Sequence, residues 1–327
     1  MFENMIVIGE NLNATRKLKA DGPRVVPIPG KPGRTGLRYT DAAGETAYLD
    51  ITKELQMEAV KNSGRLPHVG VAIWQEDDRY LVALAVEQEK LGADYLDLCV
   101  DEAATDAGKR RDYIRWLVKT IQEQVDLPLC IDSSDPDVVR AAFEVYDFEN
   151  HGTPMINSAN LEPRRLPLLD IVAECGCDII VNASGAETLP PDKEGRVANL
   201  VKMMGLVDKK GITHDSIYLD PLVLPIGTDS RNGVYYLDAA KEMRERYPEA
   251  HITGGFSNVS FGLPNRRAIN EAMTYLAKEN GADCAFIDPS QVKSFRPGEK
   301  DFDLACDALL GKDEFCMEYI SYTRSLK

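Results

Sequence analysis

The sequence predicts an α/β fold, a single (β/α)8 TIM barrel. Eight short apolar runs recur along the 327 residues, and each is followed by a segment with the 3.6-residue period of a helix. Alternation of this kind is typical of parallel strands joined by right-handed crossovers. No glycine-rich phosphate loop follows any run, which favours a closed barrel over a doubly wound open sheet. The length also suffices, because such barrels use about 200 to 250 residues or more.

The elements are predicted in strict alternation. The strands run through residues 5–9, 95–100, 127–132, 154–157, 178–182, 216–220, 251–256 and 284–287. The helices cover residues 80–91, 109–124, 136–146, 164–175, 193–210, 235–247, 266–280 and 302–310. A glycine follows four of these helices, where a left-handed C-cap is easiest for a residue without Cβ: Gly92, Gly176, Gly211 and Gly281.

Residues 14–74 interrupt this rhythm, since they are far longer than a usual βα loop. We expect one domain over residues 1–327, with this segment as an ordered insertion over the top of the barrel. Residues 24–29 and 33–39 read as extended pieces with turns, and residues 49–61 as a short helix. A lid or partner contact and a purely structural elaboration both remain open for it.

Composition excludes several classes of function. The net charge of -15, from 53 acidic and 38 basic side chains, argues against nucleic acid binding, which needs a clustered positive surface. No run approaches the roughly 18 apolar residues of a membrane span, and the N-terminus does not resemble a signal peptide. We therefore expect a cytoplasmic protein that has no membrane contact.

The cysteines and histidines indicate no metal site. Seven cysteines are scattered without paired C-x-x-C spacing, and we expect reduced, mostly buried thiols. The four histidines fall in loops or at a strand start, so a His-ligated catalytic metal is not expected.

Polar residues follow seven of the eight predicted strands. In a barrel, the reacting groups come from the C-terminal ends of the strands. One such Asp or Asn would more often cap a helix, but seven polar strand ends favour a binding site, because unused polar groups in a cavity are costly. Carboxylates and amides suit a heterocycle such as the 2-amino-4-oxo pyrimidine edge of a pterin. The side chains concerned are Asn13, Asp97, Asp101, Asp132, Asn157, Asn160, Asn182, Ser184, Asp220, Ser257, Asn258 and Ser260.

Five strings of this sequence, in order, resemble blocks of the pterin-binding corrinoid/folate methyltransferase family, within the dihydropteroate synthase-like superfamily. They are IGENLN at 8–13, CIDSS at 130–134, MINSAN at 155–160, LDPLVLP at 219–225 and SNVS at 257–260. The resemblance implies methyl transfer between N5 of tetrahydrofolate and the cobalt of a corrinoid carried by a partner protein, with 5-methyltetrahydrofolate as the methylated folate. It also implies a homodimer and a corrinoid-dependent demethylase pathway, such as O-demethylation, or a one-carbon pathway.

The same resemblance assigns roles to residues. Asp132, Asn157 and Asp220 take the positions that hold the pterin, and Asn258 takes that of the catalytic amide near folate N5. Further candidates for the pterin site are Asn13, Asp97, Asn182 and Ser184. Arg266 is left open between capping the next helix and facing an anionic tail or the partner.

Three alternatives remain. A dihydropteroate synthase would share the barrel and pterin site, but it would be expected to carry a lysine and an Arg-x-His string near the last strands; the segment FIDPS at 286–290 has neither. A non-catalytic folate-binding subunit would bind folate without reacting. A barrel that processes sugars or acids would use Asp97 and Asp101 as paired carboxylates.

Overall fold

The computed structural model describes residues 4–292 and 294–326. The strands are β1 (Ile6–Asn13), β2 (Leu18–Lys19), β3 (Val25–Pro27), β4 (Thr35–Thr40), β5 (Thr46–Asp50), β6 (Arg65–Leu66), β7 (Tyr95–Cys99), β8 (Leu129–Asp132), β9 (Met155–Ala159), β10 (Asp178–Asn182), β11 (Ile217–Asp220), β12 (His251–Ile252) and β13 (Cys284–Ile287). The helices are α1 (Glu58–Ser63), α2 (His68–Gln75), α3 (Asp78–Lys90), α4 (Ala107–Gln122), α5 (Pro136–Phe143), α6 (Leu168–Cys175), α7 (Lys193–Lys210), α8 (Asn232–Arg246), α9 (Arg266–Glu279), α10 (Lys300–Leu309) and α11 (Met317–Ser325).

Two compact units make up the chain. The first contains Met1–Gly9, Gly92–Asp94 and Thr153–Lys327. In it, β9, β10, β11 and β12 pair in parallel, each with the next strand along the chain. β13 pairs in parallel with the start of β1, and a parallel bridge joins Gly255 to Phe286 of β13. That bridge connects the residues after β12 to β13, so the two end strands of the sheet meet.

The second unit contains Glu10–Leu91 and Tyr95–Gly152. Its strands β7 and β8 pair in parallel from Leu96 opposite Leu129 to Leu98 opposite Ile131. It also holds the insertion, which forms a three-stranded antiparallel sheet of β3, β4 and β5 and a two-stranded pair of β2 and β6. The insertion is therefore ordered, as expected.

Eight of the strands form one parallel sheet, in the order β12-β11-β10-β9-β8-β7-β1-β13. In this order each strand lies beside its neighbours along the chain, and the bridge from Gly255 to Phe286 links the two ends. This is the strand order of a (β/α)8 barrel. The predicted fold class is confirmed.

Helix ends follow the local chemistry of the sequence. The side chains of Asp77, Asp106, Asp135 and Asp192 accept backbone N–H groups in the first turns of α3, α4, α5 and α7. Gly176 and Gly211 are left-handed C-caps of α6 and α7, with φ of 67° and 69°. Gly92 and Gly281 also have positive φ, just beyond the ends of α3 and α9. The four predicted glycine positions are confirmed.

Several predicted elements were wrong. Residues 49–61 were expected to form one helix, but Leu49 lies in β5, where buried and partly exposed residues alternate, and α1 begins only at Glu58. The strand predicted at 251–256 ends at Ile252, and Phe256–Ser260 form a 3-10 helix instead. Helices α2 and α11 were not predicted.

Two further expectations concern the membrane and the cysteines. Within residues 4–292 and 294–326, no helix combines the length and the apolar character needed to cross a bilayer. None of the seven cysteines forms a disulfide, and five are buried: Cys99, Cys130, Cys177, Cys284 and Cys316.

Candidate active site

Three of the predicted site residues meet in the second unit. Asn13 ends β1, Asp97 lies in β7 and Asp132 ends β8. The Asn13 amide Nδ2 donates to Asp132 Oδ2 at 3.1 Å and lies 3.5 Å from Asp97 Oδ2. Its Oδ1 accepts from the backbone N–H and the hydroxyl of Thr15, at 3.0 and 2.7 Å. These bonds orient Asn13 so that its N–H donors face the two carboxylates.

Asp132 is no helix cap, since Asp135 caps α5. Nor does Asp101 pair with Asp97 as a second catalytic carboxylate. It accepts from the Ser133 hydroxyl at 2.7 Å and from the Ser134 N–H at 3.1 Å, which fixes the loop after Asp132. A two-carboxylate mechanism that uses Asp97 and Asp101 is therefore not supported.

A buried thiol borders the same group of acids. Cys99 is buried in β7, and burial raises its pKa well above the ordinary value, with further contributions from Asp132, Asp97 and Asp101. Carboxylate charges oppose ionisation of a nearby thiol. Cys99 therefore stays protonated and is no nucleophile.

The first unit carries the other predicted residues in or just after β9, β10 and β11 and in the 3-10 helix Phe256–Ser260. Both ends of the Asn182 amide form hydrogen bonds. Its Nδ2 donates to Ser158 Oγ at 2.8 Å, and its Oδ1 accepts from Asn160 Nδ2 at 3.3 Å and from the Ser184 N–H at 3.0 Å. These bonds tie the ends of β9 and β10 together. Asn182 thus positions the ends of these two strands.

Asn157 differs from Asn182 in having an uncommitted amide. It lies opposite Ile180 in the register of β9 and β10, next to a register shift, and is partly exposed. Its side chain makes no hydrogen bond to any residue within 4–292 and 294–326, and neither does the Ser184 hydroxyl. Polar groups in this state are available to a ligand.

Asp220 ends β11 opposite Asn182 of β10. Its Oδ1 accepts the backbone N–H of Leu222 at 2.8 Å, across a turn in which Leu222 has a φ of 68°. The N-cap residue of α8 is Arg231, so Asp220 caps no helix. Neither Asp132 nor Asp220 therefore caps a helix.

A fully buried arginine supports this turn. Arg196 of α7 donates to the Leu222 carbonyl at 2.7 Å and to Asn232 Oδ1 at 3.1 Å. Burial lowers the pKa of Arg196, and the Asp220 charge opposes that effect. A charge buried this deeply requires compensation, which Asp220 supplies. Arg196 was not among the residues predicted from the sequence.

Burial raises the pKa of Asp220 to about 6, although the Leu222 N–H and Arg196 partly offset it. The ordinary value is 3.8, so the folded state prefers the protonated form. The stabilisation from this preference is fully present below pH 3.8 and is lost as pH rises through 6. Above pH 6 the carboxylate is ionised and can accept N–H donors from a ligand.

Asn258 lies in the 3-10 helix Phe256–Ser260, whose other four residues are buried. Its exposed side chain makes no hydrogen bond to the described residues. The absence of a Cβ at Gly255 makes room for it, since a Cβ there would lie 2.8 Å from Asn258 Nδ2. The sequence predicted that Ser257, Asn258 and Ser260 all face a pocket. Of the three, Asn258 is exposed, whereas Ser257 and Ser260 are buried. The Ser260 hydroxyl donates to Asn270 Oδ1 at 2.7 Å.

Arg266 holds this short helix in place. Its Nη2 donates to the Ser257 carbonyl at 2.8 Å and its Nε to Ser260 Oγ at 2.9 Å, while its guanidinium stacks 4.6 Å from the centre of the Phe261 ring. Arg266 is the first residue of α9, and Asn265 precedes it without a side-chain cap. The sequence alone left the role of Arg266 open, and its partners show that it positions the helix that carries Asn258.

No cluster of three or more His, Cys, Asp or Glu residues suited to a metal occurs in residues 4–292 and 294–326. The polar groups described above instead offer carboxylates, amides and a hydroxyl. Such groups fit a neutral heterocycle with several N–H donors and acceptors.

Similarity to known proteins agrees with this chemistry. The family model described as pterin binding enzyme matches residues 71–288. The chain is 30% identical over 259 residues to the methylcorrinoid:tetrahydrofolate methyltransferase of Eubacterium limosum, a match that covers 79% of this chain and 92% of that protein. It is 27% identical over 241 residues to the methionine synthase of Mycobacterium tuberculosis, which covers 68% of this chain and 19% of that protein.

Solved structures show the same fold. The dihydropteroate synthase of Xanthomonas albilineans in complex with 7,8-dihydropteroate has a TM-score of 0.53 at 20% identity, over 71% of this chain and 83% of that one. The dihydropteroate synthase of Stenotrophomonas maltophilia has a TM-score of 0.53 at 18% identity, over 72% and 86%. At such identities the likeness concerns the fold alone.

The chain belongs to the pterin-binding enzyme family, as the match over residues 71–288 shows. Its similarity to nearly the whole of the E. limosum protein further shows that it is a methyltransferase. The resemblance noted in the five sequence strings is confirmed.

Proposed function

We propose that this methyltransferase moves a methyl group between N5 of tetrahydrofolate and the cobalt of a corrinoid carried by a separate protein. The E. limosum relative is named for both substrates and covers most of this chain. The observation that carries the proposal is the exposed Asn258 amide, which is uncommitted among the described residues and lies on a short 3-10 helix whose other four residues are buried.

Asp132, Asn157 and Asp220 are proposed to hold the pterin. A carboxylate can accept from the exocyclic amine and from N3–H of a pterin together, and this pairing fixes the orientation of the ring. The ionised form of Asp220 above pH 6 suits this role, and the uncommitted amide of Asn157 can serve ring acceptors. Asn13, Asp97, Asn182 and Ser184 are proposed to complete or support the same site.

Asn258 is proposed to act at N5. When methylated folate is the donor, N5 must gain a proton or a strong hydrogen bond to leave. When the folate is the acceptor, N5 must present its lone pair. An amide has both a donor and an acceptor and can turn either towards N5, so one residue serves both directions.

The chain itself contributes positioning. The corrinoid, when bound on its partner, supplies the cobalt that gives or takes the methyl group. Asn258 and the pterin-binding residues hold N5 in line for that transfer, and such alignment can supply much of the rate.

We also propose a domain organisation, an oligomeric state, a compartment and a pathway for this enzyme. Residues 1–327 would act as one pterin-binding domain with the insertion at 14–74, as a homodimer in the cytoplasm, within a demethylating (for example O-demethylating) or one-carbon pathway. Seven cysteines without a disulfide support a reducing compartment.

Two variants test the assignment of roles. Asn258→Ala should slow transfer far more than it weakens folate binding, whereas Asp132→Ala should mainly abolish binding. Calorimetry with tetrahydrofolate and anaerobic mixing with a methylated corrinoid protein, monitored at the Co(I) absorbance, measure the two effects. Asn62→Ala, at an exposed asparagine of α1, is the matched control. Equal loss of affinity in both variants, with turnover of bound folate intact, would contradict the roles.

The corrinoid assay and one further incubation separate the alternatives. A non-catalytic folate-binding subunit would bind tetrahydrofolate yet leave the corrinoid spectrum unchanged. A dihydropteroate synthase would form product from pterin pyrophosphate and aminobenzoate, and the methyltransferase proposed here would not.

A further inference from the structure

A cavity lies entirely within the second unit. It has a volume of about 620 Å³ and is enclosed by residues of β4, the β4–β5 turn, β5 and helix α3. This volume falls within the roughly 300–1,000 Å³ typical of small-molecule sites. None of the eight predicted site residues lines it. The cavity therefore needs an explanation of its own.

Three cationic residues line this cavity: Arg24, Arg38 and Lys90. None of their side chains forms an ion pair or hydrogen bond with a residue in the described ranges 4–292 and 294–326. One exposed cation without a partner is ordinary, but three around one cavity are not expected in a chain with a net charge of -15. Like charges gathered in this way repel one another and attract an anion.

The acidic residues of the lining do not neutralise these cations. Asp41 is bound by Arg79, whose Nη2 and Nε lie 2.5 and 2.9 Å from Asp41 Oδ2. Only Glu87 of the other lining residues is acidic. Three cations thus face one uncommitted carboxylate, and the cavity wall keeps an excess of positive charge.

The remaining wall is aromatic and apolar. Tyr39 and Tyr80 meet edge to face, with ring centres 4.8 Å apart. The Tyr80 hydroxyl lies 2.8 Å from His68 Nδ1. Burial, together with Arg24 and Arg16, lowers the pKa of His68 to about 3, so the imidazole is neutral and can accept from that hydroxyl. Apolar side chains of α3 complete the surface: Ala83, Leu84, Val86 and Leu91.

We propose that this cavity binds a small organic anion, with its carboxylate or phosphate among Arg24, Arg38 and Lys90 and its apolar part against the two tyrosines and α3. Bound there, such a ligand would join the β4–β5 hairpin of the insertion to helix α3. The insertion would then be a ligand-binding element. This inference goes beyond the proposed methyl transfer and does not depend on it.

Benzoate, phenyl phosphate and inorganic phosphate are suitable probes for calorimetry and thermal unfolding of the full chain. At least one of the two organic anions should bind at millimolar concentration and raise the melting temperature. The tighter of the two identifies the preferred anionic group. Inorganic phosphate should bind more weakly than phenyl phosphate, because it lacks the part that contacts the tyrosines.

Arg38→Gln and Lys90→Gln should each weaken the tighter probe by about tenfold or more, since each removes a charge from the anion's surroundings. Lys61→Gln makes the same charge change at an exposed position of the insertion that does not line the cavity, and it should leave binding intact. Both cavity side chains are exposed, so these variants should fold.

Three results would overturn the proposal. The first is no heat from either organic anion at millimolar concentration. The second is equal affinity in Arg38→Gln, Lys90→Gln and Lys61→Gln. The third is loss of binding in Asp132→Ala or competition by tetrahydrofolate, which would place the anion in the folate site instead.

Discussion

The amide of Asn13 donates to the carboxylate of Asp132 over 3.1 Å, although 119 positions separate the two residues in the chain. This bond joins the end of β1 to the end of β8 within one unit. It sets the direction of the Asp132 carboxylate before any ligand arrives. A carboxylate that is already oriented loses less freedom when it binds a pterin edge.

Asn13→Ala should therefore weaken tetrahydrofolate binding by about tenfold, because hydrogen bonds to charged groups contribute about 1.5–3 kcal/mol. Turnover of bound folate should change little. Calorimetry and single-turnover kinetics measure the two quantities. Asn150→Ala is the matched control, since Asn150 donates to Asp147 at 2.7 Å on the exposed surface. Unchanged folate affinity in Asn13→Ala would show that Asp132 needs no such support.

Folate affinity should fall as the pH decreases below about 6. The pKa of Asp220 is raised to about 6 by burial, and the protonated carboxyl loses acceptor capacity for N–H donors. Below this pKa, the dissociation constant should rise by up to tenfold per pH unit. Titration calorimetry from about one pH unit below this pKa to about two units above it would reveal the midpoint. Asp220→Asn should bind more weakly at pH 7 and lose this dependence; if it keeps the midpoint, another group titrates.

Gly255→Ala should lower turnover by about tenfold while folate affinity stays close to its original value. The backbone of Gly255, with φ of -73° and ψ of 76°, requires no glycine. The added Cβ, however, would lie 2.8 Å from Asn258 Nδ2, so the Asn258 amide, which we propose acts at N5, must move, and small displacements of reacting groups are costly.

Gly205→Ala is the control for Gly255→Ala, because it adds a Cβ within α7 with no atom within 4 Å. It should leave turnover unchanged and stabilise the helix slightly. Steady-state and single-turnover rates would reveal the difference. Full turnover in Gly255→Ala would mean that the observed position of Asn258 is not the reactive one.

Local patterns allowed most of the fold to be predicted. β10, β13 and α7 were predicted with the observed bounds, since their apolar periods end at clear turn or cap residues such as Asp192 and Gly211. The short helix predicted from Leu49 was wrong because burial by the antiparallel partner β4 decides the structure there, and local propensity does not. α2 lies in the insertion, where no barrel rhythm indicates an element.

The candidate site was only partly accessible from the sequence. Asp132, Asn157 and Asp220 follow apolar runs and were all expected at strand ends. Asp132 and Asp220 do end β8 and β11, whereas β9 continues past Asn157 to Ala159. The burial of Ser257 and Ser260 could not, because it depends on Asn270 and Arg266, which belong to the next helix. Arg196 was also missed, although the helical period places it on the same face as Leu200 and Met203, where an apolar residue is expected. An arginine at such a position is the local signal that could have identified it.

Arg196→Met tests whether this buried arginine serves Asp220. The variant keeps much of the side-chain volume but leaves the Leu222 carbonyl and Asn232 without their donor and Asp220 without its compensating charge. Hydrogen bonds to a charged group contribute about 1.5–3 kcal/mol, so the free energy of unfolding in urea should fall by at least about that much.

A purely structural role would end with that loss of stability. A role in tuning Asp220 predicts more: without the opposing Arg196 charge, the pKa of Asp220 should rise further above 6, and the midpoint of folate binding should move to higher pH. Arg231→Met is the matched control, because Arg231 is exposed and stacks on the same Tyr235 ring, at 5.1 Å against 5.6 Å for Arg196. It should change neither quantity appreciably. An Arg196→Met protein that is destabilised but retains the original pH midpoint would leave Arg196 as a support of the Leu222 turn alone.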